Sequence, residues 1–318
     1  MTDTNKISAA AGTWSSPLTA ESLASASIRL AQPSSDGTCT YWLEGRPAEK
    51  GRSVLVECDQ QGQRRDLTPA PYDVRSLVHE YGGSAYLVSG GHVFFVNAKD
   101  QGIYRIQNDT ISCVCQHKQT RFANLTLDTR RNRLLAVAER HRDAGEPKNY
   151  LASVCLDTGE LKTVHSGADF YSSPALSPDG TRLVFLTWMH PDMPWDETNL
   201  HHAELDDQHD LHNPTIVSSS FAAFSPQFGP DGRLYFVSDE SDWWNLYVCG
   251  QELDPVRLSN VPGELGMPHW IFGMSTYGFT DSSTIVAAYT RNGLWTLCTI
   301  DSATGVHSDI SSWSYSAI

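Results

Sequence analysis

The chain has 318 residues and a net charge of −14, from 23 Lys and Arg against 37 Asp and Glu. That balance argues against broad nucleic-acid binding, which needs basic surface to displace counterions, and against anionic membrane surfaces. No window approaches a membrane span, and Met1 to Ser16 has neither the basic nor the apolar stretch of a signal peptide.

Residues 1–20 are rich in Ser, Ala and Thr without periodicity and read as a flexible tail, packed at most through Trp14 and Leu18. From Ile28 a repeat begins, and residues 21–318 read as one β-rich domain. Its first copy places a turn at Asp36-Gly37 and strands at Thr38–Leu43, Ser53–Cys58 and Arg64–Thr68. The second runs Gly83–Val88, His92–Val96, Gly102–Ile106 and Ile111–Cys115. Cys113 and Cys115 are expected on one face of that last strand, as core residues. The third runs Phe122–Leu127, Arg133–Val137, Tyr150–Leu156 and Leu161–His165. The fourth opens at Tyr171, turns at Ser177-Pro-Asp-Gly180 and continues through Arg182–Trp188. Pro178 presets φ, Asp179 bonds its own backbone and Gly180 takes φ > 0, so this tetrapeptide closes a hairpin. The fifth (Phe224–Phe228, Arg233–Val237, Asn245–Val248, Pro255–Leu258) and the sixth (Ser275–Phe279, Thr284–Ala288, Leu294–Ile300, Val306–Asp309) follow the same plan.

Equivalent turns recur about every fifty residues, each unit holding four short strands, which is the signature of a β-propeller blade. The expected fold is all-β, a propeller of four-stranded blades. Six blades are present, with Trp313 to Tyr315 resembling the opening of another. A gap between the first and sixth blades, exposing apolar surface around Trp42 and Trp295, is expected to permit self-association. The seven cysteines have no zinc or redox-pair spacing, so reduced thiols and a cytoplasmic location are expected.

One segment does not recur. After Trp188, residues His190 to Leu200 interrupt the fourth copy, which makes them the first place to look for function.

Several stretches together carry a family resemblance. They are Tyr72 to Gly83, Asp169 to Pro174, Ser177 to Gly180, His190 to Asp196, Ser238 to Tyr247 and Pro268 to Met274. On these the chain resembles the N-terminal propeller of prolyl-oligopeptidase-family serine peptidases, nearest the dipeptidyl-aminopeptidase and acylaminoacyl-peptidase branch. The resemblance implies a seven-bladed propeller followed by an α/β-hydrolase domain that carries the Ser, Asp and His. No Gly-x-Ser-x-Gly nucleophile elbow occurs in these residues, so the propeller alone is expected to be non-catalytic. Its expected work is to gate and bind peptide substrates for a hydrolase domain located downstream or on a separate chain, with no cofactor.

The resemblance also nominates residues. Where the family reads Trp-Asp-Gly-Thr-Glu-Leu, this chain has Trp195-Asp196-Glu197-Thr198-Asn199-Leu200, with the second acid shifted by two positions. Asp196 and Glu197, beside Trp195, are candidates to bind a substrate's α-ammonium; otherwise Pro194 and Trp195 simply pin a surface loop. Arg75 holds a substrate carbonyl or carboxylate with His79 and Glu80 on the same rim, or it pairs internally with Glu80 or Asp73. Gly82-Gly83 is read as permitting close backbone approach. Trp243-Trp244 is read as packing between blades. His201, His202, Glu204, His209 and His212 match no structural zinc pattern. The alternatives to a peptidase propeller are a stand-alone TolB-like propeller that binds a protein partner and a propeller enzyme with a metal in its central channel.

Overall fold

The computed structural model describes residues 8–13, 16, 18, 19, 27–206 and 211–310. Most of the expected tail with Trp14, the segment holding His209, and Trp313 to Tyr315 lie outside them; Leu18 is described and exposed. The described residues form six antiparallel four-stranded sheets, each in simple sequence order. The first sheet holds β1 (Arg29–Ser35), β2 (Thr40–Arg46), β3 (Arg52–Cys58) and β4 (Arg64–Asp66). The second holds β5 (Tyr86–Ser89), β6 (His92–Val96), β7 (Ile103–Gln107) and β8 (Thr110–Cys115). The third holds β9 (Thr120–Asp128), β10 (Arg133–Arg140), β11 (Lys148–Cys155) and β12 (Leu161–Ser166). The fourth holds β13 (Phe170–Leu176), β14 (Arg182–Trp188), β15 (Thr198–Leu205) and β16 (Leu211–Phe221). The fifth holds β17 (Ala223–Phe228), β18 (Leu234–Ser238), β19 (Asn245–Cys249) and β20 (Pro255–Arg257). The sixth holds β21 (Tyr277–Phe279), β22 (Thr284–Arg291), β23 (Leu294–Asp301) and β24 (His307–Asp309). The helical element among them is a three-residue 3-10 turn at Pro47–Glu49, so none is long and apolar enough to cross a membrane.

The second strand of each middle blade explains the stacking. Its side chains alternate between two faces, and both faces are buried. In β10, Leu134 and Ala136 enter the core shared with the second sheet, while Leu135 and Val137 enter the core shared with the fourth. In β14, Leu183 and Phe185 face back while Val184 and Leu186 face forward. In β18, Leu234 and Phe236 face back while Tyr235 and Val237 face forward. That is why these strands read as unbroken apolar runs. Among the described residues there are five such inter-blade cores, one for each consecutive pair of sheets, and the sixth and first sheets share none. Each large apolar side chain fully buried this way stabilises by about 1.5–3 kcal/mol.

The innermost strands are stitched by hydrogen bonds near recurrent bulges. Gln32, Asn124, Ser173 and Ser225 take positive φ where the pairing register of β1, β9, β13 and β17 shifts. Gln32 Oε1 accepts from Ala85 N, Ser84 O from Asn124 N, and Asn124 Oδ1 from Ser173 N at 2.7 Å. The turns on the opposite face are hooked by arginines. Arg131 donates to Gly180 O, Arg182 to Gly232 O and Arg233 to Ser302 O, each from one blade to the next.

Three local expectations change. A register shift sets Ile103 opposite Cys115 and Tyr104 opposite Cys113, so the bulge breaks the alternation and leaves Cys113 exposed while Cys115 is buried. Strand β15 begins at Thr198, so the interruption in the fourth blade is the shorter loop 189–197. Trp42 is half-buried, donates to Glu44 Oε1 and lies under the Arg64 guanidinium, so it is no bare apolar face. The exposed large apolar residues on the first and sixth sheets are instead Leu30 and Leu294.

Candidate functional site

Three segments remote in sequence converge on one face: the linker before β5, the loop 189–197, and the linker between β20 and β21. The first is fixed by Ser76 Oγ donating to Phe122 O at 2.7 Å and by Gln101 Oε1 accepting from Leu77 N. His79 and Glu80 both take positive φ, and the His79 N–H donates to buried Glu139 Oε2 at 2.8 Å. Gly82 and Gly83 then permit a close approach that no other residue would. A Cβ on Gly82 would lie 2.1 Å from Ser76 O, and one on Gly83 2.5 Å from Phe272 O. The loop 189–197 is tied down by His190 N donating to Asp169 Oδ2 at 3.0 Å and by buried Pro194.

Between these segments lies a cavity of about 280 Å³. Its walls are aromatic. The His79 ring sits edge-on to Phe170 and Trp188 and 4.9 Å from the Phe272 ring. Trp195 packs on Trp270 with centroids 4.4 Å apart, and Trp270 in turn meets Tyr81. His269 lies against Phe224 and Trp195. Tyr81 and Trp270 stay more than half exposed and form the rim. Burial pushes His79 down to about 4, with the neighbouring Asn149 amide opposing weakly, and burial likewise pushes His269 down to about 4. Both imidazoles are therefore neutral near pH 7. Both His269 ring nitrogens are buried within the wall, with the Met267 backbone as the neighbouring polar group. Asp192 is the carboxylate in the lining.

Of the nominated residues, the structure brings His79 and Trp195 together in this cavity. Glu80 follows His79 but turns to an ion pair with Arg121. Arg75 is exposed and directs its guanidinium to Gly51 O at 3.4 Å, pairing with neither Glu80 nor Asp73. Asp196 closes its own loop, its Oδ2 accepting from Met193 N at 2.9 Å. Glu197 is exposed beside it, and neither acid lines the cavity. The sequence reading missed Asp192, Phe170, Trp188, His269 and Trp270 as site residues. Their signal was the aromatic density of three separate segments, which only the folded ring joins.

A metal reading finds little support. Glu80, Glu139 and His141 offer ligand atoms within 4.8 Å of one another. Arg121 Nη1 bonds both carboxylates, so a guanidinium already supplies the cation there. His201 Nε2 pairs with Thr187 Oγ1 and His212 with Asp206. Trp243 is largely exposed, whereas Trp244 packs in the core between the fifth and sixth sheets.

No family model and no curated protein matches the sequence. Solved structures do. A puromycin hydrolase superposes with a TM-score of 0.87 at 27% identity, over 95% of this chain and 50% of that one. A puromycin-hydrolyzing peptidase of Mycobacterium tuberculosis gives 0.77 at 26%, over 94% and 55%. Prolyl oligopeptidase B of Galerina marginata, at 14% identity and a TM-score of 0.61 over 89% and 44%, shares the fold. The chain thus spans about half the length of the solved structures it matches. Six stacked blades in sequence order, and the likeness to one half of each puromycin-hydrolysing enzyme, show a β-propeller that resembles the propeller region of prolyl-oligopeptidase-type peptidases.

Proposed function

We propose that this propeller admits and binds peptides for an α/β-hydrolase domain that performs the chemistry, as a cytoplasmic peptidase of the aminopeptidase or oligopeptidase type. The observation that carries this is the aromatic cavity framed by His79, Trp188, Trp195 and Trp270. Its apolar walls with a few polar atoms are the composition of a small-ligand site. Neutral imidazoles there raise no charge barrier to an apolar side chain.

The test uses the chain itself. Peptides with a large apolar side chain should quench or shift its tryptophan emission, and Trp195→Ala with Trp270→Ala should remove the response. The same preparation should not hydrolyse aminoacyl or dipeptidyl chromogenic substrates, because no nucleophile elbow is present in these residues. An unchanged response in the double variant would refute the cavity's role. Turnover with a serine-reactive probe labelling this chain would refute the division of labour.

A second reading, a propeller that binds a protein partner, is favoured by the exposure of Tyr81 and Trp270 at the rim. Self-association through Leu30 and Leu294 is part of the same proposal. Light scattering should show mass rising with concentration, and Leu30→Lys should suppress it.

A further inference from the structure

The hairpin joining β10 to β11 carries three cations without an ion-pair partner among the described residues, with the exposed acids Asp143 and Glu146 in its loop. Arg140, Arg142 and Lys148 line a cleft of about 490 Å³ with Gln119, His141 and Asp143. Arg140 and Lys148 are directly paired across the two strands. Like charges placed opposite each other in an antiparallel pair are destabilising. Acidic residues outnumber basic ones in this chain, yet none of the three cations has a carboxylate partner among the described residues. The one acid in the cleft, Asp143, is held aside by Gln119 Nε2 at 3.0 Å. Three cations against one carboxylate leave a cleft suited to an anion.

The cleft is one side chain away from the aromatic cavity. Glu139, 4% exposed, accepts from the His79 N–H through Oε2 and meets His141 Nε2 at 2.6 Å through Oε1. His79 lines the cavity and His141 lines the cleft. A ligand crossing this short ridge meets apolar walls first and guanidinium groups second. We propose that the cleft binds the C-terminal carboxylate of a short peptide whose apolar side chain occupies the cavity. A guanidinium fork donates two parallel hydrogen bonds to a carboxylate, which a carboxamide cannot reproduce as an acceptor pair. This assignment rests on the peptide-binding reading of the cavity and adds a preference for free-acid ends.

Two measurements on the full chain decide it. In the first, N-acetylglycine is titrated against N-acetylglycinamide while the Arg side-chain N–H resonances are followed by NMR. The acid alone should shift them, and Arg142→Gln with Lys148→Gln should abolish the shift. In the second, N-acetyl-Phe-Gly-Gly and its C-terminal amide are compared by calorimetry. The acid should bind roughly tenfold tighter to the natural chain, and equally with the amide to the double variant. The acid–amide comparison on the natural chain stands even if the variant fails to fold. Equal binding of acid and amide overturns the carboxylate assignment and leaves the cavity reading intact. A response to N-acetylglycine with no binding of either tripeptide overturns the cavity reading, and with it the peptide as the ligand. No response to any of the four probes overturns both.

Discussion

Gly83 and Phe272 form a parallel β-bridge that joins the linker after the first blade to the linker before the sixth, with Phe272 N donating to Gly82 O at 2.9 Å. The bridge sets one wall of the aromatic cavity, since Gly82 and Phe272 both line it. Gly83→Ala forces a Cβ against the Phe272 backbone at a φ of +99°, so it is strained both by conformation and by contact. The expected cost is about 1–3 kcal/mol in urea denaturation, together with loss of the tryptophan response to apolar peptides. Loss of neither would remove the bridge from the site's architecture.

The buried histidines predict an acid-sensitive fold. Burial pushes His79, His201 and His269 down to about 4, against about 6.5 in an unfolded chain. As pH falls the unfolded chain therefore takes up protons first. Their contribution is complete above about pH 6.5 and is lost progressively as pH drops toward about 4. Stabilities from urea denaturation at pH 7.5 and 5 should differ by about 2 kcal/mol for each of the three histidines. His269→Phe should flatten the slope between them.

Arg121 is bonded to Glu80 and Glu139 and also donates to Leu77 O at 2.7 Å. Glu139 is buried, so Arg121→Met would leave its carboxylate the His79 N–H and His141 but no permanent cation in a low-dielectric setting. Stability should fall by about 3–5 kcal/mol. A companion Glu139→Gln in the same chain should restore part of that loss. A single Arg121→Met variant as stable as the natural chain would mean that the His79 N–H and His141 suffice for the carboxylate.

Under the proposed peptide-binding function, two acids are candidates for a substrate ammonium. Asp192 lines the cavity, whereas Glu197 is exposed outside it. In an assembled enzyme, Asp192→Asn should lower kcat/KM for free-amine peptides by roughly tenfold and spare N-acylated ones. Glu197→Gln should be near neutral. The reverse pattern would return the amine site to the sequence-nominated position.

The blade plan was readable because its determinants are local. Ser177-Pro-Asp-Gly180 closes as its chemistry requires, with Asp179 Oδ1 accepting from Ser177 Oγ at 2.6 Å and from Thr181 N. Strand β16 was hidden because three register shifts break its alternation against β15. The same blindness applied to Cys113 and Cys115, where one extra residue reverses a face. The cavity was only half legible. Trp195 and His79 stood in motifs, but Asp196 looked available until its carboxylate was found closing its own loop. No window of sequence shows that residues near 80, 190 and 270 meet, because that proximity belongs to the stacking of blades.

The arginine hooks make the ring mechanically uneven. Arg131, Arg182 and Arg233 fasten the third blade to the fourth, the fourth to the fifth and the fifth to the sixth. Between the first and second blades the ion pair is Arg65 with Asp109, both largely exposed, and such pairs hold weakly in water. Under load or mild denaturant the molecule should therefore behave as two provinces. The first blade, with its outer edge held loosely, should yield while blades three to six stay fastened, and the cavity wall contributed by residues 79–82 should outlast it, because Glu139 of the third blade and Phe272 hold it.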